Sequence, residues 1–244
     1  MKSSLITAVT AFLTLFLGVS AQGELLNVTT IDPPGSHRSW ATGIDGGNIV
    51  GTYYDDVPSY GKYHGFLFDG TSYTTLGPST WSLGSYANGI DGDNIVGYGL
   101  HFYPQNYRGF SYDGTTYTTL DVPGATSTYA YGIDGSNIVG WYRDPDSSDH
   151  GFSYDGTNYT TLDVPGASFA RAFGIDGGNI VGYYNDADGY HGFIYDGAGY
   201  TTLDVPGASE TRAYGIDGGN IVGRYLDANG YHGFIYDGAG YTTL

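Results

Sequence analysis

The stretch Gly174–Leu203, GIDGGNIVGYYNDADGYHGFIYDGAGYTTL, returns at Gly215–Leu244 with three changes in thirty positions: Tyr183 to Arg224, Asn185 to Leu226 and Asp188 to Asn229. Looser copies start at Gly43, Gly89 and Gly132, so successive starts lie 46, 43, 42 and 41 residues apart. A fixed period of this length signals stacked supersecondary units rather than one irregular core.

Each unit holds four short apolar runs. The first ends in Ala-x-Gly-Ile, with its alanine at 41, 87, 130, 172 and 213. The second is Asn-Ile-Val-Gly followed by aromatics, the third His-Gly-Phe-x-aromatic, and the fourth Tyr-Thr-Thr-Leu. Runs of four to seven residues rich in Ile, Val, Tyr, Phe and Thr, with no sustained helical period, predict strands. Between them stand turn formers. Asp-Gly at 69, 113, 155, 196 and 237 predicts the hairpin from third to fourth run, and Asp-Gly-Gly-Asn at 45–48 places Gly at a positive φ beside an Asp that accepts amides of its own turn. Four antiparallel strands in a roughly 42-residue unit predict a propeller blade. The fold expected is therefore all-β, a five-bladed β-propeller or a five-unit portion of a larger one. The first strand is expected to be innermost, because Ala and Gly recur two apart along it, on one face, where bulk would crowd the axis.

The fourth run occurs six times, not five. The extra copy is Val28–Ile31, followed by Asp32-Pro33-Pro34-Gly35, which matches Asp204-Val205-Pro206-Gly207. It is surplus to five blades, since the last repeat has its own Tyr241–Leu244. The ring either closes with a redundant edge or belongs to a longer array.

Residues 1–21 read as a secretory signal: Lys2, an apolar run from Leu5 to Leu17, then Val19-Ser20-Ala21. Residues 22–244 then form the propeller, and the product is secreted or held at the cell surface, with no membrane span after the signal is removed. That mature chain has 7 basic and 25 acidic residues, a charge of −18, which excludes nucleic acid as a partner. Of the 25 acids, 23 are Asp, a turn former. Cysteine is absent, so burial by the 40 aromatic residues must hold the fold.

With A-x-G-I-D-G-x-N-I-V-G, H-G-F-x-Y-D-G and Y-T-T-L-D-V-P-G-A, the chain resembles the bacterial extracellular HAF-family repeats over residues 28–244. The resemblance implies export and repetition, often with a PEP-CTERM sorting tail that is not seen here, and it implies no reaction. Gly stands where the family triplet has Ala, and Arg108 replaces the repeating histidine in the second unit.

His64, His150, His191 and His232 recur once per unit and invite a metal or acid–base role, but blades hold equivalent positions apart, so structural hydrogen bonds are expected. Asp186–Asp188 and the acidic loop 144–149 lack the alternating ligands and terminal Glu of a calcium loop and are read as solvated turns. No metal, cofactor or catalytic residue is assigned. What varies on the fixed frame is the residue before the inner-strand Ala, namely Trp40, Tyr86, Tyr129, Arg171 and Arg212, and these are the candidate ligand contacts. Aromatic and Arg side chains suit glycans or anionic groups. The function expected is a monomeric, non-catalytic scaffold or multivalent adhesion module for glycans or extracellular-matrix components. The alternatives are a lectin-like propeller and, after it, a glycoside-active enzyme.

Overall fold

The computed structural model describes residues 30–55, 62–79, 83–101 and 106–244, which form twenty strands and no helix. The signal reading and Val28–Thr29 lie outside the described residues, and Thr30 and Ile31 are not in a strand. Blade one is β1 (Ser36–Asp45), β2 (Asn48–Asp55), β3 (Tyr63–Phe68) and β4 (Tyr73–Leu76). Blade two is β5 (Ser85–Asp91), β6 (Asn94–His101), β7 (Asn106–Tyr112) and β8 (Tyr117–Leu120). Blade three is β9 (Ser127–Asp134), β10 (Asn137–Arg143), β11 (Asp149–Tyr154) and β12 (Tyr159–Leu162). Blade four is β13 (Phe169–Asp176), β14 (Asn179–Asn185), β15 (Tyr190–Tyr195) and β16 (Tyr200–Leu203). Blade five is β17 (Glu210–Asp217), β18 (Asn220–Asp227), β19 (Gly230–Tyr236) and β20 (Tyr241–Thr243). Each is an antiparallel meander paired in chain order, and together they make a five-bladed β-propeller.

The blades are glued by the apolar runs. Val181 and Leu203 of blade four bury against Ala213 and Ile221 of blade five, and the other three seams repeat this set. At the centre of each sheet sits a fully buried ring: Phe66, Phe110, Phe152, Phe193 and Phe234. Burying one such ring contributes roughly 2–3 kcal/mol, so these carry much of what cysteine does not supply.

The inner strands approach closest, as expected. A Cβ built on Gly174 would lie 3.1 Å from the Cα of Gly215 in the next blade, which leaves room only for Gly. The one-face reading of Ala and Gly is corrected. A β-bulge intervenes, because Ala172 pairs with Gly182 and Gly174 with Val181, so two steps on β13 match one step on β14. The extra residue turns Ala172 toward blade three and Gly174 toward blade five. All five blades share the bulge.

Among the described residues, the first and last blades each keep one face uncovered. Val222 is 41% exposed, whereas Val50, Val96, Val139 and Val181 at the same repeat position are 0% exposed. Leu244 and Ala41 are likewise exposed where their counterparts in the other blades are buried.

Candidate functional site

The sequence-selected residues occupy one belt. On every blade it takes three positions away from the Asp-Gly-x-Asn turn: the residue before the inner Ala, the residue after the Asn-Ile-Val-Gly glycine, and the residue just before His-Gly-Phe (Arg-Gly-Phe in the second unit). The first two are direct cross-strand partners, as in Tyr86↔Tyr98, Tyr129↔Trp141 and Arg171↔Tyr183. On blades two to five the residue before Ala meets the preceding blade's third strand, so the belt passes from blade to blade.

Trp40 lies 6.2 Å from Tyr63, and Tyr63 stacks on Tyr86 of blade two at 5.2 Å. Tyr86 stacks on Tyr98 at 4.7 Å, Tyr98 meets Tyr129 edge-on at 5.0 Å, and Tyr129 lies flat on Trp141 at 3.9 Å. There the belt changes character. The Arg171 guanidinium sits over the Trp141 ring at 4.2 Å and donates to the Tyr183 hydroxyl at 3.2 Å. Arg212 lies over Tyr190 at 3.7 Å, and Arg224 over Tyr231 at 4.8 Å. One half is aromatic and the other cationic–aromatic. Burial, with neighbouring tyrosines adding, pushes the Tyr86 hydroxyl up to about 12 and raises Tyr98, so both stay neutral donors.

Asp149 was missed from sequence, where it reads as part of a solvated loop. It belongs to β11 and is buried, bonded to Arg143 Nε at 2.7 Å and to Arg171 Nε at 3.1 Å. Desolvation pushes its pKa up, but the two guanidinium groups outweigh this and hold the carboxyl below its usual value. It occupies the third-strand position filled by Tyr63, Tyr107, Tyr190 and Tyr231 elsewhere, so charge complementarity replaces stacking at that one seam.

The repeating histidines act in packing and hydrogen bonding. His64, His150, His191 and His232 each stack on a tyrosine and approach a carboxylate, Asp55, Asp144, Asp186 and Asp227 respectively. Two reach a second Asp as well, His150 to Asp163 and His191 to Asp204. Arg108 makes the corresponding bond to Asp121 at 3.0 Å, which is how the second unit does without its histidine. Beside His150 lies a cleft of about 290 Å³ floored by Val164–Ala170.

Two further sets of aspartates recur from blade to blade. Those of the outer hairpins accept from their own turns: Asp69 Oδ1 takes the amides of Thr71 (2.8 Å) and Ser72 (2.7 Å), and Asp113, Asp155, Asp196 and Asp237 repeat this. The Gly-Ile-Asp carboxylates of blades one to four reach beyond the turn that the sequence expectation gave them. Asp45, Asp91, Asp134 and Asp176 each accept the amide of Gly92, Gly135, Gly177 or Gly218 in the next blade, at 2.6 to 2.9 Å. Each of these nine carboxylates has an oxygen engaged by a backbone amide, and among the described residues no group of three His, Cys, Asp or Glu side chains is placed to hold a metal ion. Millimolar calcium should therefore move the melting temperature no more than magnesium does. A rise specific to calcium would contradict these assignments.

Hydrogen bonds from Thr115 and Thr116 lower the Asp113 pKa, and amides of Asn158 and Thr157, Ala198 and Gly199, and Ala239 and Gly240 do the same for Asp155, Asp196 and Asp237. A carboxyl whose pKa is lower folded than unfolded contributes stability above the unfolded value of about 3.9 and loses it as pH falls through the folded value. These carboxyls should thus add no slope to the melting temperature above about pH 5 and make it fall below about pH 4. Replacing the hairpin aspartates by Asn, which keeps the acceptor and removes the titration, should flatten that acid limb; an unchanged limb would assign it elsewhere.

No family model and no curated protein matches the sequence. Among solved structures, the chain is similar to the β-propeller domain of the Trilobed protease from Pyrococcus furiosus, at 13% identity and TM-score 0.57 over 80% of this chain and 64% of that one. It is similar to the acylaminoacyl peptidase of Pyrococcus horikoshii at 15% identity and TM-score 0.56, covering 81% of itself and 36% of the peptidase. The six-bladed lectin of Aleuria aurantia, described with a fucose recognition mode, matches at 14% identity and TM-score 0.50 over 85% and 76%. The chain thus spans under two thirds of the peptidase-type chains it resembles, and at these identities the likeness is one of fold. It is a β-propeller of a kind found both in lectins and beside peptidases.

Proposed function

We propose that this is an exported, non-catalytic binding propeller acting as a scaffold or multivalent adhesion module toward glycans or extracellular-matrix polymers. The observation that carries the reading is the belt: the five residues that vary on the repeated frame, Trp40, Tyr86, Tyr129, Arg171 and Arg212, join one surface of rings and guanidinium groups. Flat rings suit the apolar faces of sugars, and Arg suits their hydroxyl or carboxylate oxygens. The lectin form of the reading is favoured by a ring that stays accessible inside a formed seam, since Tyr63 is 39% exposed while stacked on Tyr86 of the next blade. The engagement of the aspartates in turns and seams supports a non-catalytic role over a glycoside-active one.

Several weak contacts along one surface predict binding that emerges with ligand density. On an array of neutral and acidic glycans at graded density, the protein should bind mainly at high density, and Trp40→Ala and Arg212→Ala should each weaken binding at least about tenfold through lost avidity. Binding that ignores both substitutions would remove the belt from the reading. Turnover of a glycoside substrate would replace it with catalysis.

A further inference from the structure

The four seams are built from one set of contacts, and a fifth set is present in two unmatched halves. In each seam a Gly-Ile-Asp carboxylate of one blade accepts a Gly amide of the next. A Val and a closing Leu bury against the next blade's Ala and Ile. The third-strand residue just before His-Gly-Phe, or before Arg-Gly-Phe in blade two, meets the next blade's residue before Ala, as in Tyr63/Tyr86, Tyr107/Tyr129 and Tyr190/Arg212. On blade five, Val222, Tyr231 and Leu244 are exposed at these positions; on blade one, Trp40 and Ala41 are. A Cβ on Gly215 would meet only Val222 of its own blade, whereas one on Gly43, Gly89, Gly132 or Gly174 would meet the next.

One seat in this gap is already filled. The chain enters blade one through a turn in which Ser36 N donates to Pro33 O at 3.0 Å and Gly35 has φ 81°. The same turn links the other blades, with Ala125 to Val122 at 3.0 Å, Ala167 to Val164 at 3.1 Å and Ala208 to Val205 at 3.0 Å, and with φ of 84°, 86° and 83° at Gly124, Gly166 and Gly207. There the residues feeding it are the fourth strand of the preceding blade. Ser39 Oγ donates to Ile31 O at 3.0 Å, as Ser85 Oγ donates to Leu76 O at 2.5 Å. Ile31 therefore holds the place of a preceding blade's closing Leu.

We propose that the gap between blades five and one receives a sixth blade of this same repeat, which enters with three strands and takes the segment ending at Ile31 as its fourth. Closure of the ring on blade five puts Leu244 and Ile31 in one seat. A second copy docked through the same faces does so too. Only a three-stranded unit fills every seat once: Leu244 rests on its first strand, and Ile31 closes it over blade one. Its expected anchors are Asp217, bonding its turn Gly, and Gly46, receiving its Asp.

The test appends a repeat of Asp204–Gly240, three strands without a fourth, after Leu244. The melting temperature should rise by about 5 °C or more, amide exchange at Thr30 and Ile31 should slow at least about a hundredfold, and Asp217→Ala should destabilise the extended chain while leaving the unextended one nearly unchanged. Three results would overturn the proposal. One is an extension that changes neither stability nor exchange. Another is equal stabilisation by an appended Asp204–Leu244, with its own fourth strand, while Ile31 still exchanges fast. The third is an unextended chain that sediments as a dimer dispersed by Asp217→Ala.

Discussion

Gly182→Ala should cost on the order of 4 kcal/mol, read as a shift of the urea midpoint at unchanged slope. A Cβ at this position would lie 2.0 Å from the Arg171 carbonyl oxygen and 2.8 Å from the Phe193 ring. Neither neighbour is free to yield. The carbonyl belongs to the paired inner strand at its bulge, and the ring is wholly buried. Relief requires the bulge to open, which separates Ala172 from its seat on blade three. Gly178→Ala is the control: nothing lies within 4 Å of its Cβ, but its φ is 86°, so it should cost only about 1–2 kcal/mol through the left-handed backbone. A loss at Gly182 no larger than at Gly178 would show that the bulge is soft.

Phe193→Ala should cost about 3–5 kcal/mol, the lost transfer energy of the ring plus the cavity it leaves. The ring is 0% exposed and meets Tyr200 edge-on at 5.6 Å. Phe66 occupies the same position three blades away, so the two losses should add to within about 0.5 kcal/mol in the double variant. Strong non-additivity would mean that strain passes around the ring, against the neighbour-only contacts of a repeat architecture.

The period and the four apolar runs made the blades legible, because each run is a local pattern and each turn a local chemistry. The bulge was not. It depends on Ala172, Gly182 and Phe193 meeting across three strands, and Ala-x-Gly alone reads as plain alternation. The outer Asp turns were legible for the same local reason. The reach of Asp45 to Gly92 was hidden because its partner lies one full repeat away. The five belt residues stood out by varying on a constant frame, but their partners could not be paired with them until the blades were placed. Asp149 shows why: beside Asp144 and Asp146 it looks like one more loop acid, and only Arg171 in the neighbouring blade reveals it as a buried ion.

The belt also has an optical consequence. Its tyrosines stand at 5.2 and 4.7 Å across Tyr63, Tyr86 and Tyr98, and Tyr129 lies at 3.9 Å on Trp141. Light absorbed by these phenols does not stay where it lands. It hops from ring to ring and drains into the indoles, so tyrosine emission from the native protein should be weak for a chain with 26 tyrosines. Trp141, under the Arg171 cation, and Trp40, open to water, then glow at different wavelengths from the same captured energy. The colour of that glow reports, without any added label, whether something has settled on the Trp40 end of the belt.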